Sequence, residues 1–253
     1  MWKAVQAAVR GRGHALADIP CQDKTHVLET EDVLATALAD GAGSAARSEL
    51  GAECVTRTIC QLLTNNFDRY FETDDAAVVA VEILDILKQE LSNVASEADC
   101  EIRALASTLL AVAVKDRNFI TVHLGDGVIG CLDGEELNVL SRPDNGEFIN
   151  ETTFVTSLDA IAHLRLGKGE LDNLSAFILM SDGTAAGFYQ RRTQTLSPVI
   201  KRLIHAVKLM AIDEVETALA ENIEETLCKV TTDDCSLILM VEGNEEVGNT
   251  LSS

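Results

Sequence analysis

Residues 33–44 read Val-Leu-Ala-Thr-Ala-Leu-Ala-Asp40-Gly41-Ala42-Gly43-Ser44. The apolar run 33–38 has the composition of a buried strand. It delivers one carboxylate, Asp40, into backbone with almost no side chain to cover it. Glycine at 41 and 43 permits positive φ and lets a ligand approach the main chain. A helix-forming segment, 45–63, follows at once, with Ser44 placed as its N-cap. A carboxylate at a strand end, beside a bare glycine carbonyl, suits a hard divalent cation that takes oxygen ligands. Asp-Gly is also a strong hairpin signal. Taken alone, the stretch allows both readings, and turns are the commoner of the two.

Recurrence changes the weighting. Asp126-Gly127 and Asp182-Gly183 follow strand-like runs at 119–124 and 176–180. An acidic pair, Asp233-Asp234, precedes the apolar run 237–241, and Asp23 precedes a short β-like piece at 25–28. A hairpin explains any one of these, but not an aspartate at so many strand ends of one chain. Asp133-Gly134 is the internal control. It joins 128–132 to 136–140 with turn residues between, and reads as a plain hairpin.

Around these points the chain reads as strands and helix pairs. Residues 4–9 are β-compatible and 11–21 form a loop. Helices are expected at 45–63 and 75–95, separated by a break at 65–73. The second would bury Val78, Val81, Ile83, Leu84, Leu87 and Leu91. An antiparallel meander is expected over 105–114, 119–124, 128–132 and 136–140, then a polar loop at 142–153. Strands at 154–157, 162–166 and 176–180, helices at 197–210 and 212–228, and a strand at 235–241 complete the pattern. This order predicts an α+β fold, sheets covered by helix pairs, in one domain over 1–243 with a polar tail at 244–253.

Composition bounds the function. The chain has 253 residues, 47% of them hydrophobic, enough for a real core. Its net charge of −21 argues against nucleic acid and against anionic membrane surfaces. A phosphorylated substrate would then need local neutralisation, which metal ions provide. Seven cysteines without a CxxC pair read as reduced thiols of a cytoplasmic protein. Residues 1–10 are too short and interrupted for a signal peptide, and no apolar run reaches the length of a membrane span.

Five segments resemble, in order, the motifs of the type 2C, metal-dependent protein phosphatases (the PPM family). They are Gln22-Asp23, Ala39-Asp40-Gly41-Ala42-Gly43, Gly125-Asp126-Gly127, Ser181-Asp182-Gly183 and Asp233-Asp234-Cys235-Ser236. The likeness runs from about residue 5 to 242 and is greatest to small bacterial members carrying His-x5-Pro-Cys-Gln-Asp, here His14 to Asp23. It implies a four-layer α-β-β-α sandwich, two facing antiparallel sheets flanked by helix pairs. It implies a serine/threonine protein phosphatase that attacks phosphomonoesters with a metal-activated water, with a kinase as a candidate partner. Two Mn²⁺ or Mg²⁺ ions are implied, since oxygen-only ligation disfavours zinc. By resemblance Asp40 bridges them, Asp182 and Asp233 serve the first, and the Gly41 carbonyl serves the second. Asp23 acts directly or through water, and Asp126 with Asp182 holds a third, weaker ion.

The pattern departs from the family at Asp18, where many relatives carry a phosphate-binding arginine, at Ala42 in place of a eukaryotic histidine, and at Gln22 in place of a glutamate. Arg12 is then the candidate for gripping phosphate and His14 for protonating the leaving oxygen. His26, His123, His163 and His205 read as structural, and Asp234 as a turn or capping acid. Two other functions stay open: a non-catalytic interaction module that keeps the fold, and a phosphatase of small phosphorylated molecules.

Overall fold

The computed structural model describes residues 1–144 and 152–243. The tail 244–253, and 145–151 within the expected polar loop, lie outside the described residues. The chain begins with β1 (Trp2–Val9), α1 (Arg12–Leu16), β2 (Lys24–Glu29) and β3 (Val33–Ala39), then the long helices α2 (Ser48–Glu72) and α3 (Ala76–Glu97). Two hairpins follow, β4 (Leu109–Lys115) with β5 (Asn118–Leu124) and β6 (Val128–Asp133) with β7 (Glu136–Ser141). After α4 (Ala160–His163) come β8 (Arg165–Glu170), β9 (Leu174–Met180), α5 (Asp182–Phe188) and the short pair β10 (Tyr189–Gln190) and β11 (Thr195–Leu196). Helices α6 (Val199–Leu209), α7 (Ile212–Asn222) and α8 (Cys228–Val230) lead to β12 (Cys235–Glu242).

Two five-stranded sheets result, ordered β1-β12-β9-β6-β7 and β2-β3-β4-β5-β8, with antiparallel neighbours throughout. The central strands lack a polar face because both of their faces are covered. In β3, Val33, Ala35 and Ala37 pack under α2 and α3, while Leu34 and Leu38 point to the other sheet. In β12, Leu237, Leu239 and Val241 pack under α6 and α7, while Ile238 and Met240 meet β3 and β4 residues between the sheets. Three apolar layers therefore alternate with four layers of backbone, which is the expected α-β-β-α sandwich.

Several local expectations are corrected. The expected meander is two hairpins in different sheets, because the chain crosses between sheets at Gly125-Asp126-Gly127. The loop 11–21 contains α1. Helix α2 starts at Ser48, so Ser44 is not its cap, and it runs through the expected break with a kink at Asn66 (φ −126°, ψ 17°). Burial of Phe67 and Tyr70 holds that last stretch on the core. In α3, Ile83, Leu84, Leu87 and Leu91 are buried as expected, but in the first turns Val79 and Ala80 are buried and Val78 and Val81 are exposed. Residues 154–157 form no strand; 160–163 are α4, and β8 begins only at Arg165. The helix expected over 212–228 passes through a π turn at Ile223–Leu227.

Candidate metal centre

Every aspartate of the five motifs lies at the same end of the sandwich, where strands of both sheets stop. Asp40 leaves β3 and is held by its own backbone: its carbonyl accepts from Thr108 N at 2.8 Å and its N–H donates to Thr108 Oγ1 at 2.9 Å. Gly41 bridges to Ser107, and Ala42 N donates to Ala106 O at 2.9 Å. The bend after β3 is thereby fastened to the chain entering β4, and the carboxylate is aimed without using its own oxygens. Gly41 is required by close approach. A Cβ there would stand 2.8 Å from Ser48 Cβ and 2.9 Å from Gln22 O.

Asp23, at the foot of β2, is only 1% exposed, and one of its oxygens accepts from Ser236 Oγ at 2.7 Å. Asp182 opens α5 directly after β9; its Asp-Gly step is a strand-to-helix junction. Asp233 lies just before β12, and Asp126 sits in the crossover between β5 and β6, accepting from Thr152 Oγ1 at 2.6 Å.

The electrostatics show how close these groups come. Burial first, then the neighbouring Asp23 and Asp182, hold the Asp40 carboxyl well above the usual range. Burial and the nearby Asp126 and Asp233 raise Asp182. Burial, with Asp234 and Asp182 adding to it, pushes Asp23 up to about 7 despite the Ser236 hydroxyl. Asp233 is raised by its desolvation, and Asp234 and Asp126 contribute. Four acids from four separate segments, Asp23, Asp40, Asp182 and Asp233, are thus discouraged from ionising by burial and by neighbouring carboxylates, and a cation is what would relieve them.

The donors fit such a cation. Asp23 Oδ1 and Asp182 Oδ1 are buried oxygens with no hydrogen-bond donor, a costly arrangement unless a positive charge comes to them. All the side-chain donors in the group are oxygens, which suits Mg²⁺ or Mn²⁺. Among the described residues no three His, Cys, Asp or Glu side chains are drawn together into a ready-made cage.

The two residues expected to act on phosphate lie apart in character. Arg12 is exposed on α1, with no ion pair or hydrogen bond to its guanidinium among the described residues. His14 is half-buried, its Nδ1 2.9 Å from Asp234 Oδ2, within ion-pair reach but off line for a hydrogen bond. Asp18 follows α1 with φ 55° and is exposed.

The other histidines are structural or peripheral. His123 Nε2 lies 3.0 Å from Gly125 O, and burial lowers its pKa to about 3. His163 Nδ1 lies 2.8 Å from Asp144. All seven cysteines are free thiols. Among the described residues no helix is long and apolar enough to cross a membrane.

Asp234 is the residue that sequence reasoning passed over. It is 1% exposed, and its two oxygens accept from Gly11 N and Gln22 N, both at 2.6 Å. The parity of β12 could have revealed it. Asp234 is in phase with Ser236 and Ile238, whose side chains face the inner layer, whereas Asp233 is not.

The sequence profile of the protein phosphatase 2C family matches residues 10–225. Serine/threonine-protein phosphatase 3 of Escherichia coli (strain K12) is 26% identical over 183 residues, covering 70% of this chain and 72% of that protein. Two solved structures share the fold. Serine/threonine phosphatase Stp1 from Staphylococcus aureus matches with a TM-score of 0.64 at 16% identity, over 96% of each chain. The catalytic domain of serine threonine protein phosphatase PstP, in complex with two manganese ions, matches with a TM-score of 0.59 at 16% identity, over 96% of this chain and 99% of that one.

Proposed function

The chain belongs to the protein phosphatase 2C family, and from that premise we infer that it is a metal-dependent phosphatase of phosphoserine and phosphothreonine in proteins. The observation that carries the reading is the gathering of Asp23, Asp40, Asp126, Asp182 and Asp233 at one end of the sandwich, with buried carboxylate oxygens lacking any donor. On this reading Asp40, Asp182 and Asp233, with the Gly41 carbonyl, would hold two divalent ions, Asp40 serving both. Asp23 acts directly or through water, and Asp126 with Asp182 offers a weaker third position. Divalent cations bound there supply a water of lowered pKa and neutralise charge on the phosphoryl group.

The remaining work falls to the chain's own residues. Thr108 and Ser107 hold the Asp40 bend, and Ser236 holds Asp23. Arg12, exposed and unpaired among the described residues, grips the substrate dianion as it enters. His14 gives a proton to the departing serine or threonine oxygen. A serine/threonine kinase is the partner this reading implies, and free thiols suit a reducing compartment such as the cytoplasm.

Hydrolysis of p-nitrophenyl phosphate in Mn²⁺ or Mg²⁺, with and without EDTA, tests the reading. Activity is expected with either ion and its disappearance with EDTA; full turnover in EDTA would overturn it. A panel of phosphopeptides beside small phosphorylated metabolites then tests the substrate class. Higher kcat/KM on the peptides is expected.

A further inference from the structure

The segment that carries Arg12, His14 and Asp23 is tied to the rest of the molecule at both ends by one side chain. Gly11 N donates to Asp234 Oδ1 and Gln22 N donates to Asp234 Oδ2, each at 2.6 Å. A third contact comes from inside the loop, where His14 Nδ1 stands 2.9 Å from Oδ2. These bonds join residues more than two hundred positions apart in the chain, and the carboxylate is buried. Charge-assisted bonds to backbone N–H groups are short and strong. An acid at a turn or helix cap bonds to its own neighbours in sequence. Asp234 instead spends both oxygens on a distant loop.

The inference rests on the phosphatase reading given above. We propose that Asp234 is a positioning residue for the reaction: it docks the 11–22 loop against the metal centre and holds the His14 ring in place by the close contact at Nδ1, leaving Nε2 to serve the leaving group. The step it supports balances as ROPO3²⁻ + H2O → ROH + HPO4²⁻. The P–O bond to the side-chain oxygen breaks, and the water oxygen forms the new one. The leaving oxygen takes the Nε2 proton of His14, and the proton released by water restores His14 through solvent. A carboxylate beside the far nitrogen holds the ring in place and leaves the other nitrogen free to face the substrate.

The test compares a poor leaving group, a phosphoserine peptide, with a good one, p-nitrophenyl phosphate, in saturating Mn²⁺. His14→Ala is expected to lower kcat on the peptide about a hundredfold, and much less on p-nitrophenyl phosphate, because only the poor leaving group needs the proton. Asp234→Asn is expected to follow the same split at about tenfold, with little added effect in the His14→Ala background. Equal loss on both substrates, or additive losses in the double variant, would overturn the role of Asp234 and reduce it to a structural tie. Should Asp234→Asn fail to fold, imidazole ¹⁵N shifts of the unmodified protein decide. A proton on His14 Nδ1 supports the proposal, and a bare Nδ1 overturns it. Wild-type protein inactive on both substrates in Mn²⁺ would overturn the phosphatase reading itself, an outcome distinct from the failure of Asp234 alone.

Discussion

Asp40-Gly41 and Asp133-Gly134 are the same dipeptide at the ends of two apolar strands, β3 and β6, yet they do unrelated things. Beyond Asp133 the chain folds straight back into β7, pairing Asp133 with Glu136, and both Asp133 and Gly134 face solvent. Beyond Asp40 the chain is fastened to the segment before β4 and packed against Ser48 and Gln22. Its carboxyl is enclosed with those of Asp23 and Asp182. What separates the two is the surroundings of the strand end. Both strands lie between two others and face the other sheet, but β3 ends at the acidic end of the sandwich, among backbone and other strand ends. β6 instead starts at that end, beside Asp126, and its far end turns straight into β7 in water. An acid acquires unusual chemistry only in the first setting.

The largest effect expected follows from that contrast. Asp40→Asn should lower turnover by at least about a hundredfold, in line with the several kcal/mol that metal charge supplies to a phosphoryl group. Asp133→Asn should leave turnover within about twofold, as surface changes do. Thermal unfolding sharpens the test. In EDTA, Asp40→Asn should raise Tm, because it removes a buried carboxylate that its neighbours discourage from ionising. Added Mn²⁺ should then stabilise the wild type and not the variant. Near-normal turnover in folded Asp40→Asn would break the comparison.

The same contrast explains what could be read from the sequence. The acidic strand ends were legible because each Asp-Gly or Asp-Asp follows or precedes an apolar run, and burial of those runs is what brings them together. The layered fold was legible from strands lacking a polar face between pairs of helices. Sheet membership was not: Gly125-Asp126-Gly127 looks like any turn, and only long-range pairing shows that it crosses from one sheet to the other. The face of α3 is legible over Ile83–Leu91 but not in its first turns, because the run 76–81 is apolar all round and fixes no face. Asn65-Asn66 reads locally as a break, but burial of Phe67 and Tyr70 overrides that preference and leaves only a kink at Asn66. Asp234 was missed because its partners are backbone N–H groups of a loop at the other end of the chain.

A second prediction probes acid sensitivity at the buried end, where His123 supports the Gly125 carbonyl beside Asp126. Burial, aided by Arg165, lowers the folded pKa of His123 to about 3. Below the ordinary histidine value near 6.5, the unfolded chain takes a proton that the folded ring refuses. The contribution of this group is therefore fully present above that value and is lost as pH falls toward 3, at up to about 1.4 kcal/mol per pH unit. His123→Gln removes the titration and keeps a donor for Gly125 O. The stability of the wild type relative to His123→Gln, from urea unfolding in EDTA, should fall steadily between pH 6 and pH 4. A difference that stays constant across that range would mean the ring titrates in the folded state. The exposed turn at Asp133-Gly134 has no buried histidine, and Asp133→Asn should leave the acid limb unchanged.

The smallest effects separate the two glycines, which occupy equivalent places for different reasons. At Gly134 nothing lies within 4 Å of an added Cβ, but φ is 54°. The only cost of Gly134→Ala is the left-handed backbone, about 1 kcal/mol. At Gly41 the added Cβ would meet Ser48 Cβ and the Gln22 carbonyl at under 3 Å. The hydroxymethyl of Ser48 can shift, but the Gln22 carbonyl belongs to the backbone that also carries Asp23 and is held to Asp234. Gly41→Ala should therefore cost about 1–3 kcal/mol, as overpacking does, and should disturb Mn²⁺ affinity as well. Asparagine distinguishes the two causes, because it tolerates the left-handed region through local hydrogen bonds but is larger than alanine. Gly134→Asn should recover much of the loss seen with Gly134→Ala, whereas Gly41→Asn should be worse than Gly41→Ala. If asparagine rescued both positions, backbone conformation would govern Gly41 too, and the close packing around Asp40 would not be what sets the two strand ends apart.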